Sequence, residues 1–201
     1  MASPSKTAVV SEFRRTQILD AARQTFARHG LKTATVDQIA RAARVAKGTV
    51  YLYYRSKNEI LRHALDQGLT ALGDATIPSI GAPGPIDERL RRFLHAMLEY
   101  FDRHRDFLDL CQVELGSELR KSARQKFGQV YAAQTRAWQV ALEEARAAGA
   151  IGPLDAKATA LAIVGFAHGL AMQRLRGWTD ATLEADVARA SSLVWKGLSI
   201  R

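Results

Sequence analysis

Apolar residues recur at intervals of three and four along most of the chain, the spacing that places side chains on one face of a helix. No stretch shows the sustained alternation of apolar and polar residues that is typical of a half-buried strand. The first stripe runs through Glu12–His29 and is followed by Gly30, a typical helix stop. Its apolar members are Ile18, Leu19, Ala22, Phe26 and Ala27. These patterns predict an all-α fold of about nine helices.

Two capping boxes mark helix starts in the first third of the chain. Thr35 is followed by Gln38, and Ser56 by Glu59, a spacing in which the paired side chains satisfy each other's free backbone amides. They predict a short helix over residues 36–43 and the beginning of a longer helix near Lys57. The residues between them leave room for a three-residue turn at 44–46 and one short helix over residues 47–54.

Three prolines and two glycines within residues 74–87 predict an exposed connection, because proline lacks the amide that continues a helix. Helical spacing resumes after this connection. The predicted helices there cover residues 86–103, 106–115, 117–148, 155–176 and 182–200.

The 201 residues are 47% hydrophobic and 24% charged, which indicates a folded globular chain rather than a disordered one. A single cysteine, Cys111, excludes an intrachain disulfide and a cysteine cluster for zinc. The longest charge-free run, residues 158–172, is shorter than the ~18 to 20 apolar residues that span a bilayer. No signal peptide is apparent in residues 1–10, so a cytoplasmic protein without a membrane segment is predicted.

The formal net charge of +9 is concentrated towards the N-terminus. Residues 1–68 hold 12 Lys and Arg against 5 Asp and Glu, whereas residues 69–201 hold 17 against 15. This imbalance indicates a surface for a polyanion in the first third, with a solvated basic face as the alternative. The presence of an element that reads a DNA groove in the same segment decides between the two interpretations.

The short helix, tight turn and second short helix of residues 36–54 have the layout of a helix-turn-helix, whose second helix enters the major groove of DNA. That second helix carries side chains suited to bases and phosphates, namely Lys47, Thr49, Tyr51 and Tyr53. Short helices joined by tight turns also occur in bundles that bind no nucleic acid, which is the alternative interpretation.

Residues 12–61 resemble the DNA-binding domain of the TetR (tetracycline repressor) family of transcriptional regulators. The resemblance is carried by Ile18–Ala22, Phe26, Gly30, Thr35–Ala43, the run Lys47–Tyr54, and Ser56 with Lys57. Two positions differ from the family pattern: Arg44 stands where glycine is usual, and Leu52 where histidine is frequent. If the position of Arg44 requires a positive φ, a non-glycine residue there costs about 1 kcal/mol.

The resemblance implies a DNA-binding domain over residues 1–56 and an effector-binding and dimerisation domain over residues 57–201. It implies a transcriptional regulator, most commonly a repressor, that leaves its operator when a small-molecule effector binds. Groove contacts are implied for Lys47, Gly48, Thr49 and Tyr51, and a thymine-methyl contact for Leu52. Phosphate contacts are implied for Thr35, Arg44, Tyr53 and Lys57, and a core position for Tyr54.

Two C-terminal helices are the predicted homodimer interface, with ordinary packing within one chain as the alternative. Residues 155–176 are rich in alanine and glycine, which allow helices to approach closely, and residues 182–200 carry apolar side chains at helical spacing. A twofold dimer presents two recognition helices about 34 Å apart to a roughly palindromic site on double-stranded DNA.

An effector pocket is predicted in the helical bundle of the second domain, with a plain core position as the alternative for every residue. Glu114, if it lies among apolar side chains, favours a cationic ligand. The predicted lining consists of Met97, Phe101, Phe107, Leu110, Cys111, Glu114, Tyr131, Trp138, Phe166 and His168.

The alternatives to a ligand-responsive regulator are an enzyme and a basic architectural DNA binder with a filled core. The five histidines show no His-x-x-x-His spacing, and no glycine-rich phosphate loop or nucleophile elbow occurs. Cys111 and His168, a conceivable nucleophile and base, lack an orienting third group. The expectation is therefore a non-enzymatic protein without a metal or cofactor.

Overall fold

Nine α-helices form the part of the chain that the computed structural model describes, which is residues 6–198 without the side chains of residues 6–8, 110 and 112–114. They are α1 (Lys6–His29), α2 (Val36–Ala42), α3 (Lys47–Tyr53), α4 (Lys57–Gly81), α5 (Ile86–Arg103), α6 (Arg105–Glu114), α7 (Ser117–Ala147), α8 (Ala156–Leu175) and α9 (Leu183–Leu198). The all-α prediction is confirmed. The last two residues predicted for the ninth helix, 199 and 200, lie outside the described residues.

The exposed connection predicted over residues 74–87 is wrong. Helix α4 continues to Gly81 with Pro78 inside it, and only residues 82–85 connect it to α5. Pro78 lies in the last turn, where its missing amide removes one backbone hydrogen bond. Leu72 and Ile80 on the same face are buried, and apolar burial of this kind offsets the loss of one hydrogen bond.

One compact unit comprises the described part of residues 1–68 together with Asp106–Arg124. Its core is formed by the apolar stripes of α1 to α4, and α6 adds Phe107 and Cys111 to it. The largest fully buried side chains in this unit are Ile18, Phe26, Ile39, Tyr54 and Ile60. The stripes read from the sequence therefore face a common interior.

The second compact unit comprises Leu69–Arg105 and the described part of the chain from Gln125 onwards. Within it, α5 packs against both α8 and α9. The ring of Phe93 on α5 meets that of Trp138 on α7 edge to face at 5.5 Å, and both side chains are fully buried. The predicted boundary between a DNA-binding domain and an effector-binding domain, at residues 56 and 57, stays a prediction. The division of the chain into two compact units does not say which helices bind DNA or effector.

No helix among the described residues combines the length and the apolar character that crossing a bilayer requires.

Candidate nucleic-acid interface

Helix α2 begins at the predicted capping box. The Thr35 hydroxyl accepts a hydrogen bond from the Gln38 amide at 3.3 Å, and the Thr35 amide donates to Gln38 Oε1 at 2.8 Å. Because each side chain satisfies one free backbone amide, the helix start is fixed by residues three apart in sequence.

Helix α2 ends in a Schellman turn, which leads the chain into α3. The Val45 amide donates to the Ala40 carbonyl at 3.0 Å, and the Arg44 amide donates to the Arg41 carbonyl at 3.1 Å. Arg44 has a φ of 54°, in the left-handed region that favours glycine. Because the backbone at this position has a positive φ, arginine there costs about 1 kcal/mol relative to glycine.

One face of helix α3 packs on the core of the first unit, and the opposite face is exposed. Val50 is fully buried and Tyr54 nearly so, which places Tyr54 in the core as predicted. On the outer side Lys47, Gly48 and Tyr51 are exposed, and Leu52 is 83% exposed. Thr49 and Tyr53 are half-buried. An exposed leucine and tyrosine in a well-anchored short helix contribute little to folding and leave a contact surface open.

Gly48 has no packing reason to be glycine. A Cβ built on it meets none of the described atoms within 4 Å, and its φ is not in the left-handed region. Glycine inside a helix costs about 0.5–1 kcal/mol relative to alanine. The glycine thus lowers the stability of the helix and leaves the outer face of α3 without a side chain at position 48.

Lys47 is paired with Asp37, a residue that the sequence analysis did not single out. Its Nζ lies 2.7 Å from Asp37 Oδ2, and both side chains are half exposed. The hydrogen bond to Asp37, reinforced by the charge of that carboxylate, raises the pKa of Lys47. A DNA group that binds Lys47 has to compete with Asp37 for the ammonium.

Arg15 on α1 is a second cation at this surface that the sequence analysis missed. Its guanidinium lies 5.5 Å from the centre of the Tyr53 ring and 5.9 Å from that of Tyr54. These distances are within the range of cation–π attraction. No local sequence signal distinguishes Arg15 from its neighbour Arg14, because the pairing joins residues that are far apart in the chain.

Lys57, predicted to anchor a phosphate, is also a structural bridge. Its ammonium donates to the carbonyls of Leu31, Lys32 and Ala34 at 2.8, 2.9 and 3.0 Å. These three bonds tie the first residue of α4 to the turn between α1 and α2. A positive charge therefore sits in this turn, and its contact with DNA remains a prediction.

The second capping box forms with a shift of one residue. The Glu59 amide donates to the Ser56 hydroxyl at 3.1 Å, as the spacing predicts. The Glu59 carboxylate, however, accepts from the Arg55 amide at 2.6 Å rather than from that of Ser56. Two backbone amides at the start of α4, those of Arg55 and Glu59, are therefore satisfied by side chains.

The residues predicted to line an effector pocket fall in several places. Phe107 and Cys111 belong to the core of the first unit, where burial raises the pKa of the Cys111 thiol to about 12. The side chains of Leu110 and Glu114 lie outside the described residues. The rest lie in the second unit: Phe166 borders a groove between α8 and α9, Tyr131 is half-buried, and the interior of the unit holds Met97, Phe101, Trp138 and His168.

Phe101, Tyr131 and His168 form an aromatic cluster with Phe127, which we call the His168 cluster. Phe127 was not among the residues predicted from sequence. The His168 ring lies 4.8 Å from that of Phe127, 5.4 Å from that of Tyr131 and 6.2 Å from that of Phe101. Burial lowers the pKa of His168 to about 4, so the imidazole is neutral at pH 7. Phe127 and Tyr131 are half-buried and form the most accessible side of the cluster.

The α8–α9 groove has a volume of about 340 Å³ and an exposed apolar rim. Trp178 and Leu193 at its edge are 69% and 65% exposed, and Leu161 further along α8 is 53% exposed. Gly169 and Ala162 on the same helix are exposed as well. Large apolar side chains exposed beside small ones form a surface on which another helix can pack.

Two family models match this chain. Residues 18–64 match the bacterial regulatory proteins of the tetR family, and residues 83–172 match a tetracyclin repressor-like C-terminal domain. The HTH-type transcriptional regulator HbdR of Aromatoleum sp. (strain CIB) is 31% identical over 163 residues, which cover 81% of this chain and 70% of that protein. The chain belongs to the TetR family of bacterial regulators.

Further relatives agree with membership of the TetR family. The uncharacterized HTH-type transcriptional regulator YhgD of Bacillus subtilis is 27% identical over 153 residues, 75% of this chain and 78% of YhgD. The regulator FadR of Bacillus subtilis, crystallised with stearoyl-CoA, has the same fold, with a TM-score of 0.70 and 22% identity over 90% of this chain and 98% of FadR. The predicted family is confirmed, and this TetR-family chain is a helix-turn-helix transcriptional regulator.

Proposed function

We propose that this TetR-family regulator is a repressor that binds a palindromic DNA operator as a homodimer and is released by a small-molecule effector. The observation that carries the proposal is the outer face of α3. Lys47, Gly48, Tyr51 and Leu52 are exposed together on a helix that Val50 fixes from below. A rigid helix that displays hydrogen-bonding and apolar groups is what reading the major groove requires.

In this proposal the residues of this surface divide between those that contact bases and those that contact phosphates. Lys47, Gly48, Thr49 and Tyr51 face the base edges, and Leu52 contacts a thymine methyl group. The remaining residues contact phosphates and set the register of the protein on DNA: Thr35, Arg44, Tyr53 and Lys57. Arg15 joins this second group, because its guanidinium is held against Tyr53 at the same surface.

The exposed apolar rim of α8 and α9 supports a dimer formed through these two helices. Trp178 and Leu193 are too large and too exposed for a face that meets only water. A twofold axis between two copies buries them and pairs two recognition helices with the two halves of a palindrome. Binding to chromosomal DNA places the protein in the cytoplasm.

The His168 cluster is the proposed effector site. It combines aromatic rings with a buried polar group, as small-molecule sites commonly do. Helix α4 belongs to the first unit up to Gly68 and to the second from Leu69, so it offers a continuous path for a change at the cluster. The effector shifts the population towards a conformer with lower operator affinity, by no more than its preference for that conformer.

The operator part of the proposal is tested by footprinting the purified chain on the DNA that flanks its own gene. A protected, roughly palindromic site is expected. Lys47→Ala is expected to lower the affinity for that site by about 1–3 kcal/mol. Arg91→Ala, which removes the same charge from an exposed position on α5, serves as the control and is expected to leave the affinity unchanged. Equal affinities for both variants contradict the proposed role of α3.

A further inference from the structure

A directed chain of hydrogen bonds runs through the interior of the second unit. The Leu72 carbonyl only accepts, so the Thr76 hydroxyl donates to it, at 2.7 Å. Since that proton is used, Thr76 Oγ1 accepts from the amide nitrogen of Gln134, also at 2.7 Å. The amide oxygen of Gln134 therefore faces His168 and lies 3.0 Å from its Nε2. The direction of every bond follows from one backbone carbonyl.

This direction fixes the tautomer of His168. Because the Gln134 oxygen is an acceptor, Nε2 carries the proton and donates it. A neutral imidazole has a single N–H, so Nδ1 keeps its lone pair. No donor among the described residues is recorded at Nδ1, and His168 is 7% exposed. The second unit thus holds a hydrogen-bond acceptor of fixed orientation.

The surroundings of this acceptor are aromatic. The Tyr131 ring is inclined by 26° to the imidazole, and the Phe127 and Phe101 rings meet it at 72° and 76°. The cation–π contacts recorded for the described residues involve Tyr53, Tyr54 and Trp178, none of which belongs to the cluster. Among the described residues, these rings therefore offer a ligand apolar contact rather than a stacked cation.

We infer that the His168 cluster binds a neutral ligand with a flat apolar body and one hydrogen-bond donor, such as a phenolic hydroxyl, which donates to His168 Nδ1. The inference rests on the proposed role of the cluster as the effector site and adds the chemical class of the effector. A carboxylate or phosphate group in the same place puts its oxygens against the Nδ1 lone pair and is rejected.

Three probes with one ring system test this class, namely 2-naphthol, naphthalene and 2-naphthoate, with binding followed by calorimetry. We expect 2-naphthol to bind the wild-type protein about tenfold more tightly than the other two, because it alone donates a hydrogen bond to His168 Nδ1. His168→Phe is expected to bind 2-naphthol and naphthalene equally. His95→Phe, at a partly exposed histidine on α5, is expected to keep the preference. Equal or tighter binding of 2-naphthoate, or a preference that survives in His168→Phe, overturns the inference.

The tautomer is measured on the wild-type protein, which keeps the inference testable if His168→Phe does not fold. Long-range ¹H–¹⁵N spectra of histidine-labelled protein at pH 7 are expected to show His168 protonated at Nε2 only. Addition of 2-naphthol is expected to shift the unprotonated Nδ1 signal. Protonation at Nδ1, or a signal that 2-naphthol leaves unmoved, overturns the inference.

Footprinting of the same preparations separates this inference from the proposed function. A protected operator together with failure of the 2-naphthol preference refutes the ligand class alone. A chain that protects no site refutes the proposed repressor, whatever it binds at His168.

Discussion

The interiors of the two units differ in kind. Among the described residues, the first unit buries one polar side chain, Thr25, whose hydroxyl donates to the Ala21 carbonyl of its own helix at 2.7 Å. The described part of the second unit buries five polar or charged side chains: Thr76, Gln134, His168, Arg174 and Asp186. The first unit carries its chemistry on its outer face, and the second carries much of it inside.

This difference suits two tasks. An apolar core with a single packing arrangement holds α3 rigid, so that its exposed side chains keep a fixed position. A buried polar group is costly unless its partners are present, so each one in the second unit fixes the orientation of another. Replacing the buried polar groups of the second unit should therefore change stability and ligand preference, whereas replacing exposed residues of the first should change DNA affinity.

The largest expected effect is at Arg174, the centre of an ion network in the second unit. It contacts Asp102 at 2.6 Å and Asp186 at 2.5 Å, and Asp186 is 4% exposed. Arg174→Met leaves Asp186 buried and, among the described residues, with Arg189 as its remaining ionic partner, so the free energy of unfolding in urea should fall by about 3–5 kcal/mol. Arg103→Met, which removes an exposed pair with Glu99, should cost less than about 1 kcal/mol.

The acid dependence of this network follows from Asp186. Burial raises the pKa of this carboxyl, but its hydrogen bonds to Arg174 and Arg189 outweigh burial and leave the pKa below its usual range. Its contribution to stability is thus present above pH 4, about the pKa in the unfolded chain, and lost as the pH falls further.

An Arg174→Met protein as stable as Arg103→Met would show that the buried network contributes little.

His168 should make the stability of the second unit depend on pH between about 4 and 6.5. Its pKa is about 4 in the folded chain and 6.5 in the unfolded chain, so only the unfolded chain takes up a proton between these values. Stability is full above pH 6.5 and should fall by about 3 kcal/mol as the pH drops to 4. His168→Phe should remove this part of the slope in urea titrations, and His95→Phe should retain it.

Lys57 tests whether the first unit depends on a polar bridge as the second does. Lys57→Met keeps the apolar stem but removes three hydrogen bonds to the carbonyls of residues 31, 32 and 34. The free energy of unfolding should fall by about 1–3 kcal/mol, the usual contribution of hydrogen bonds to a charged group. Lys32→Met removes an exposed charge from the same turn and should be neutral. Equal stability of the two variants would refute the bridge.

A smaller effect is expected at Arg44, where stability and DNA affinity should move in opposite directions. Arg44→Gly relieves the strain of a φ of 54° and should stabilise the chain by about 1 kcal/mol. Loss of the charge should weaken operator binding. Arg44→Ala separates the two effects, because it loses the same charge and keeps the strain. A glycine variant no more stable than the alanine variant would contradict the strain argument.

The first unit was largely predictable from sequence because its determinants are local. The capping box at Thr35, the stop at Gly30 and the helical spacing around Val50 each act within a few residues. The exposed face of α3 follows from the same spacing. The pairings of Lys47 with Asp37 and of Lys57 with the turn after α1 were not predictable, because they join separate elements.

The second unit was harder to predict, because helical spacing indicates which residues are buried but not which helix they pack against. Phe107 and Cys111 lie on an apolar stripe, as expected, but face the core of the first unit. The burial of Thr76 and Gln134 was predictable from sequence, because each is a polar residue at an apolar position of its helix. Thr76 lies between Leu72 and Ile80, and Gln134 lies between Tyr131 and Trp138. Pro78 predicts a helix break, but α4 continues for three residues beyond it, to Gly81.

The central claim, that the outer face of α3 lies against DNA, is tested most directly by the operator affinity of Gly48→Ala measured beside its unfolding. A Cβ at this position meets no described atom of the protein, so alanine should stabilise the chain by about 0.5–1 kcal/mol. The added methyl group should obstruct approach to the groove and weaken operator binding about tenfold. A variant that is more stable and binds the operator as tightly as the wild-type protein would contradict the claim.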